Sequence, residues 1–333
     1  MIRKIKPHYS LGDVARMAGM ESRELRHWEE TGRIPPARRN PENHRIYDFD
    51  EAHAIVDFVR GATHRRIAVV NQKGGVGKTT TAFNLAGALV ARGRRVLTID
   101  LDPQANLTES LGVELGDSDL TIEDVFVNDD VMGAQAIRPT RFPGLSCIAA
   151  RPRLAGVEIK IFDAFLRETI LERKLKPLFE QFDFIIFDCP PNLSLVTVNA
   201  LVCCEEAIVP IEAQSYSLKA ISDLTNTVAL IRSRLDRGVS LRFLPTKIDG
   251  RVKVAGEILE AVKGGLQDRV LPSVRTDANL VRAPMVRAPV VFSFPASKGA
   301  KDYARIAEIL LTESAAPADP NLGNPAPPAA PPA

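Results

Sequence analysis

Short runs dominated by apolar residues recur through the middle of this chain, at 67–70, 95–99, 145–149, 184–187, 206–211, 241–246 and 270–271. Several show no alternation with polar positions, which predicts strands buried on both faces of a parallel sheet. Between them lie stretches with apolar positions at helical spacing, as over 81–91. The strand–helix alternation across 63–313 predicts an α/β fold, a doubly wound and mostly parallel sheet with helices on both faces. Ligands of such sheets sit at the carboxyl ends of the strands.

The first 62 residues follow another pattern. Ser10 opens a short helix that a turn glycine, Gly19, closes, and Ser22 caps a second one running over 23–31 to Gly32. A basic loop over 33–40, a short strand over 45–49 and a third helix from about Asp50 come next. Two short helices joined by a tight turn form a helix-turn-helix, with the basic hairpin as a wing. Residues 314–333 are mostly Ala, Pro, Asn and Gly, and are expected to be a disordered tail because they offer too little apolar surface to fold.

The run at 67–70 leads into Asn71-Gln72-Lys73-Gly74-Gly75-Val76-Gly77-Lys78-Thr79-Thr80 and then into a helical pattern. Strand, glycine loop and helix form the context of a phosphate-binding P-loop. Its glycines let backbone N–H groups approach phosphate, and the helix presents its positive end there. Lys78 is placed to neutralise β- and γ-phosphate charge, and the Thr79 hydroxyl to bind Mg²⁺. Two further strands end in carboxylates, Asp100 and Asp102 after the second run and Asp188 after the fourth. With a phosphate loop already present, these suit Mg²⁺ and water positioning, since Mg²⁺ favours one or two carboxylates together with phosphate oxygens.

The loop departs from the general P-loop pattern, with Gln72 where a glycine is usual and a second lysine at Lys73. The sequence KGGVGKTT resembles the deviant Walker A loop of the ParA/MinD family of ATPases. So do D-x-D-P-Q-x-N-x-T over 100–108 and D-x-P-P over 188–191, and the likeness spans about 64–312. The resemblance implies ATP and Mg²⁺ as ligands, with residues 73–80 (Lys73, Gly74, Gly75, Val76, Gly77, Lys78, Thr79, Thr80) around the nucleotide. It further implies that Lys73 reaches the partner subunit's phosphates in a homodimer. Asp102 would position the attacking water, Asp100 would support the switch loop, and Asp188 would hold Mg²⁺ through water.

The N-terminal pattern, from L-x-D-V-A at Leu11 to R-x-Y at Arg45, resembles the MerR-type winged helix, with Trp28 where that family usually has tyrosine. Over 1–60, eleven Arg and Lys face ten Asp and Glu. Arg33, Arg38, Arg39 and Arg45 of the wing suit phosphate contacts. Arg23 and Arg26 on the second helix suit base edges. Relatives of the ATPase also bind DNA without sequence preference through basic residues. Arg251 matches one such position, while Arg275, Arg282 or Arg287 stands in for the other, which falls near Asn279.

A net charge of only +2 confines nucleic-acid binding to local patches. Cys147, Cys189, Cys203 and Cys204 lack metal-ligand spacing and read as reduced core residues. No signal peptide or membrane-length apolar run is apparent, so the expected location is the cytoplasm, on the nucleoid. The resemblance points to a DNA-segregation ATPase whose partners are DNA and a centromere-binding or adaptor protein that stimulates hydrolysis. Three alternatives compete: an ATPase positioning a protein cargo, a repressor tuned by nucleotide, and a membrane-cycling ATPase. The Pro/Ala tail argues against the last, offering no basic amphipathic helix.

Overall fold

A computed structural model of the protein describes residues 8–212, 218–235, 238–249 and 269–313, with the side chains of 218–223 and 232 outside that description. The tail over 314–333 and Arg251 therefore lie outside the described residues. Two units pack together, a three-stranded winged helix and a seven-stranded sheet flanked by helices.

The winged helix contains β1 (Tyr9–Ser10), α1 (Leu11–Ala18), α2 (Ser22–Glu30), β2 (Arg38–Arg39), β3 (Arg45–Tyr47) and α3 (Phe49–Arg60). Ser10 and Asp13 close a capping box at the start of α1, and Gly19 ends it. The second helix differs from the expectation. Ser22 is its first residue, Glu21 holds the cap position, and no side chain caps it. Val14, Leu25, Ile34, Tyr47 and Val56 form the core of this small unit.

The second unit runs β4 (Arg65–Val69), α4 (Lys78–Val90), β5 (Val96–Asp100), α5 (Asn106–Ser110), α6 (Ile122–Val127), β6 (Ile137–Pro139), β7 (Leu145–Ile148), α7 (Val157–Lys160), α8 (Ile170–Leu175), β8 (Phe184–Asp188), α9 (Leu195–Cys203), β9 (Glu206–Glu212), α10 (Leu218–Leu235), β10 (Ser240–Thr246), α11 (Ala278–Met285), α12 (Val290–Ser293) and α13 (Lys298–Thr312). The sheet order is β10-β9-β4-β8-β5-β7-β6, parallel except for β6. Six of the seven expected strands are present. The last, at 270–271, is a single bridge from Val270 to Phe243. The antiparallel edge strand β6, only three residues long and ending in proline, carries too little apolar pattern to be read beforehand. Apolar cores on both faces of the sheet bury Leu97, Ile185 and Phe187 on one side and Ile67, Phe83 and Ile186 on the other.

Helix α3 joins the units. Phe49 sits in the ATPase-side core. His53 Nδ1 lies 2.9 Å from the Gly93 carbonyl oxygen, in the turn between α4 and β5. Arg94, 1% exposed, donates from Nη1 to Asp57 Oδ1 (2.5 Å) and to the Gly61 carbonyl (3.2 Å), with Asp183 Oδ1 at 3.5 Å. Arg60 reaches Glu308 of α13 at 3.1 Å. The seam is thus an apolar plug beside an ionic cluster in which Arg94 and Asp183 are buried and Asp57 is partly exposed. Gly144, at φ +85°, marks the tightest approach, because a Cβ there would lie 2.0 Å from Phe49 Cζ. Gly144→Val is accordingly expected to destabilise the protein by at least about 1–3 kcal/mol, read as a lower urea midpoint.

Candidate functional site: a phosphate loop backed by three carboxylates

Beyond β4 the chain turns through 71–77 into α4. Gly77 is the N-cap of α4 at φ +97°, and Gly75 stands at φ +75°, backbone conformations that side chains with a Cβ resist. Among the described residues no side chain caps α4, so its leading N–H groups are available to an anion. Two residues absent from the sequence-based list of site residues hold the loop. The Asn71 amide donates to the Pro210 carbonyl at 2.7 Å and accepts from the Lys73 N–H at 2.9 Å. The Thr246 hydroxyl, at the end of β10, donates to the Val76 carbonyl at 2.8 Å. Asn71 was findable as the polar residue opening the motif. Thr246 was not, because 170 residues separate it from its partner.

The two lysines occupy different surroundings. Lys78 is buried and donates from Nζ to the Lys73 carbonyl at 3.1 Å. Burial lowers its pKa, and the nearby Asp188 and Asp102 charges partly offset this. Lys73 is exposed at the outer edge of the loop. Thr79 and Thr80, in the first turn of α4, are half-buried.

Because β8 lies between β4 and β5, the register places Asp188 beside Val69 on one side and Asp100 on the other. Asp100 is fully buried. It accepts from the Asp102 N–H (3.1 Å), the Thr108 N–H (2.9 Å) and the Thr108 hydroxyl (2.7 Å). Burial pushes its pKa up to about 6 despite those donors. Asp102 is half-buried and accepts from the Gln104 N–H at 2.9 Å, which fixes the turn that follows β5. Asp188 is fully buried too, yet among the described residues neither carboxylate oxygen has a hydrogen-bonding partner of good geometry. Burial and the Asp100 charge push its pKa well above the usual carboxylate range, with the neighbouring Thr79 hydroxyl offsetting part of the shift. An orphaned carboxylate is costly to bury. Beside a threonine hydroxyl and a phosphate loop, this one fits a hydrated divalent cation.

A family profile described as an AAA domain matches residues 64–241. The sporulation initiation inhibitor protein Soj of Bacillus subtilis is 38% identical over 245 residues, covering 73% of this chain and 96% of the relative. The chromosome partitioning protein ParA of Myxococcus xanthus is 34% identical over 249 residues, covering 74% and 88%. The chain belongs to the ParA/MinD family of ATPases. Among solved structures, a cobyrinic acid a,c-diamide synthase from Mycobacterium smegmatis, with bound ATP analog and magnesium, superimposes with a TM-score of 0.66 at 31% identity, over 77% of this chain and 99% of that one. The septum site-determining protein MinD of Pyrococcus horikoshii, complexed with Mg-ADP, gives 0.60 at 30% identity, over 74% and 95%. A second profile, described as a MerR HTH family regulatory protein, matches residues 9–56.

This ParA/MinD-family ATPase carries its arginines in two settings. Arg23 and Arg26 stand exposed on α2, with no ion pair among the described residues. Arg39 is exposed as well and donates to the Asn43 carbonyl at 3.1 Å. Arg38 is held by Asp48 and Glu51, and Arg45 by Glu29. Those acids come from α2 and from the start of α3, outside the wing stretch that read as almost free of acid. Near the ATPase C-terminus, Arg275 is engaged by Asp302 (Nη2–Oδ1 2.6 Å) and Arg287 by Glu114 (3.1 Å). Arg282 lies over the Phe294 ring at 5.4 Å. All four cysteines are buried, and burial pushes the Cys147 thiol up to about 12. No described helix is long and apolar enough to cross a membrane.

Proposed function

We propose that this ATPase segregates DNA: ATP drives homodimerisation, the dimer binds DNA without sequence preference, and a centromere-binding or adaptor protein stimulates hydrolysis and release on the nucleoid. The observation that supports this reading most is the exposed Lys73 at the rim of a complete phosphate loop, in a chain that also bears an N-terminal helix-turn-helix. Soj and ParA, its relatives, are named for sporulation control and chromosome partitioning. Cargo is read as a plasmid or chromosome centromere complex, and the winged helix as an operator reader.

The roles proposed are those the family resemblance implies, and the geometry is compatible with them. Lys78 and the N–H groups of 74–80 bind and orient the phosphates, and Lys73 projects toward a partner subunit. Asp102 holds the attacking water, and Asp100 keeps the Asp102 turn in place through its bond to the Asp102 N–H. Mg²⁺, held by Thr79 and through water by Asp188, would neutralise charge accumulating on the transferring phosphoryl group. In the winged helix, Arg23, Arg26 and Arg39 are the most available for DNA, while Arg38 and Arg45 would have to share theirs with acids. Arg251, Arg275 and Arg282 are proposed for the non-specific surface.

The test is binding to a random-sequence duplex with ATP, ADP or no nucleotide. Point variants are preferable to deleting 1–62, because α3 forms part of the ATPase-side core. ATP-specific binding is expected to be lost in Lys73→Ala, to survive Arg23→Ala/Arg26→Ala, and to fall steeply with salt as counterions compete. Binding that ignores nucleotide and vanishes in the α2 double variant would instead establish a repressor with an attached ATPase.

A further inference from the structure

Small-molecule sites concentrate where domains meet, in apolar hollows with a few convergent polar groups. The seam between the winged helix and the ATPase holds such a hollow, about 540 Å³ in volume. That is within the roughly 300–1,000 Å³ usual for ligand pockets. Its walls come from both units: β1, α1 and the end of α3 on one side, and the end of α4, the turn before β7, α12 and α13 on the other. It is separate from the phosphate loop. The loop opens α4, whereas the hollow lies at its last turn, about 18 Å away at the rise of an α-helix.

Rings and aliphatic side chains make the body of the hollow. Phe142 and Phe292 stack with ring centres 5.0 Å apart and planes 15° from parallel. Tyr9, Met17, Val90 and Val291 complete the apolar lining, and Tyr9 is set by an edge contact with Phe49. Flat aromatic walls suit a flat aromatic ligand.

The charges are unevenly matched. Arg16, Arg60 and Arg92 line the hollow with Asp13 and Glu308, three cations against two acids. Asp13 is taken up by Arg16 and by the Ser10 cap of α1. Glu308 alone answers the other two guanidiniums, accepting from Arg60 Nη1 at 3.1 Å and pairing through its second oxygen with Arg92. Their further contacts are neutral. Arg60 Nε donates to the Ala18 carbonyl at 3.1 Å, and Arg92 Nη2 lies 3.5 Å from the Ala304 carbonyl. Burial lowers the pKa of both arginines, and the Arg60 charge lowers that of Arg92 further. The carbonyls that end α4 do not oppose an anion here, because the N–H groups of Arg92 and Gly93 meet those of Leu89 and Val90, each at 2.9 Å. One more negative group would balance the pair.

We propose that this hollow binds a small aromatic monoanion, a flat ring system bearing one carboxylate, with the ring against Phe142 and Phe292 and the carboxylate on the Arg60–Arg92 pair. Guanidinium and carboxylate match in plane and charge. Because its walls belong to both units, the site is complete only while the winged helix is docked. The ligand therefore stabilises the docked arrangement by mass action, and the seam becomes responsive to a small molecule.

The test is isothermal titration calorimetry of the full chain with naphthoate and with the neutral naphthalenemethanol. The variants are Ala91→Phe, which fills the hollow, and Arg92→Gln, which removes a charge. Expected are one naphthoate per chain, affinity at least tenfold weaker for the alcohol and for Arg92→Gln, and no binding in Ala91→Phe. Saturating naphthoate should also slow proteinase K cleavage within 61–64 at least threefold in wild type and leave Ala91→Phe unchanged. No binding at millimolar naphthoate overturns the proposal, as does binding that Ala91→Phe leaves intact. Displacement by Mg·ADP would assign the ligand to the phosphate loop and overturn the hollow, and equal affinity for the alcohol overturns the anion. Should Ala91→Phe melt far below wild type, Arg92→Gln decides alone, an affinity within twofold of wild type counting against the site.

Discussion

Lys78→Ala is expected to reduce ATP turnover about 10²–10³-fold or more, the loss associated with removing one preorganised electrostatic donor from a site of developing charge. The ammonium is already desolvated and held toward the loop by the Lys73 carbonyl, so it needs no reorganisation when phosphate arrives. Alanine leaves the loop backbone to Asn71, Thr246 and the glycines, and the fold should survive. The burial penalty removed with the ammonium offsets its lost attraction to the buried Asp188, so the melting midpoint should shift little. Phosphate release paired with a thermal melt checks both halves of the expectation. Turnover within threefold of wild type would remove Lys78 from the catalytic role. Lys73→Ala should behave differently, retaining nucleotide on one chain while losing the ATP-dependent dimer.

The second large effect concerns stability. Arg94→Ala is expected to destabilise the protein by about 3–5 kcal/mol, because breaking a buried ion pair strands its partners. Asp183 would be left 3% exposed with a full charge, its pKa already raised chiefly by burial. Asp57→Asn should cost much less, since the Asp57 side chain is 30% exposed and water can replace part of its bond. Urea denaturation of both variants checks the ranking. The seam location adds a signature: proteolysis within the linker over 61–64 should accelerate in Arg94→Ala more than cleavage elsewhere. Equal losses in the two variants would mean that Arg94 contributes only packing.

The local parts of this protein were legible in its sequence. The phosphate loop, the capped α1 and the strand-end carboxylates are each written within about ten residues, because neighbouring backbone groups carry out their chemistry. The strands that carry the site were legible as well, since buried parallel strands leave an unbroken apolar signature, whereas their order in the sheet was not. What escaped is non-local. Thr246 supports the loop through a partner 170 residues away. His53, Asp57, Arg94 and Asp183 meet only after the winged helix docks, and a sequence offers no sign that an arginine in the turn between a helix and a strand will be 1% exposed. The wing arginines show the same limit, as Glu29, Asp48 and Glu51 enter from other elements to pair with them. The orphaned state of Asp188 likewise becomes visible only once its oxygens are seen without partners.

The docking of α3 has a geometric consequence for DNA reading. With Phe49 and Arg94 fixing the winged helix to the ATPase, α2 cannot swing on the short linker over 61–64. In a two-fold dimer the separation and helical phase of the two reading helices would then be dictated by how the ATPase units meet. Operator half-site spacing becomes a ruler of that assembly. Lengthening the linker should leave the preferred spacing unchanged, whereas cutting the seam should let the protein accept half-sites at many spacings.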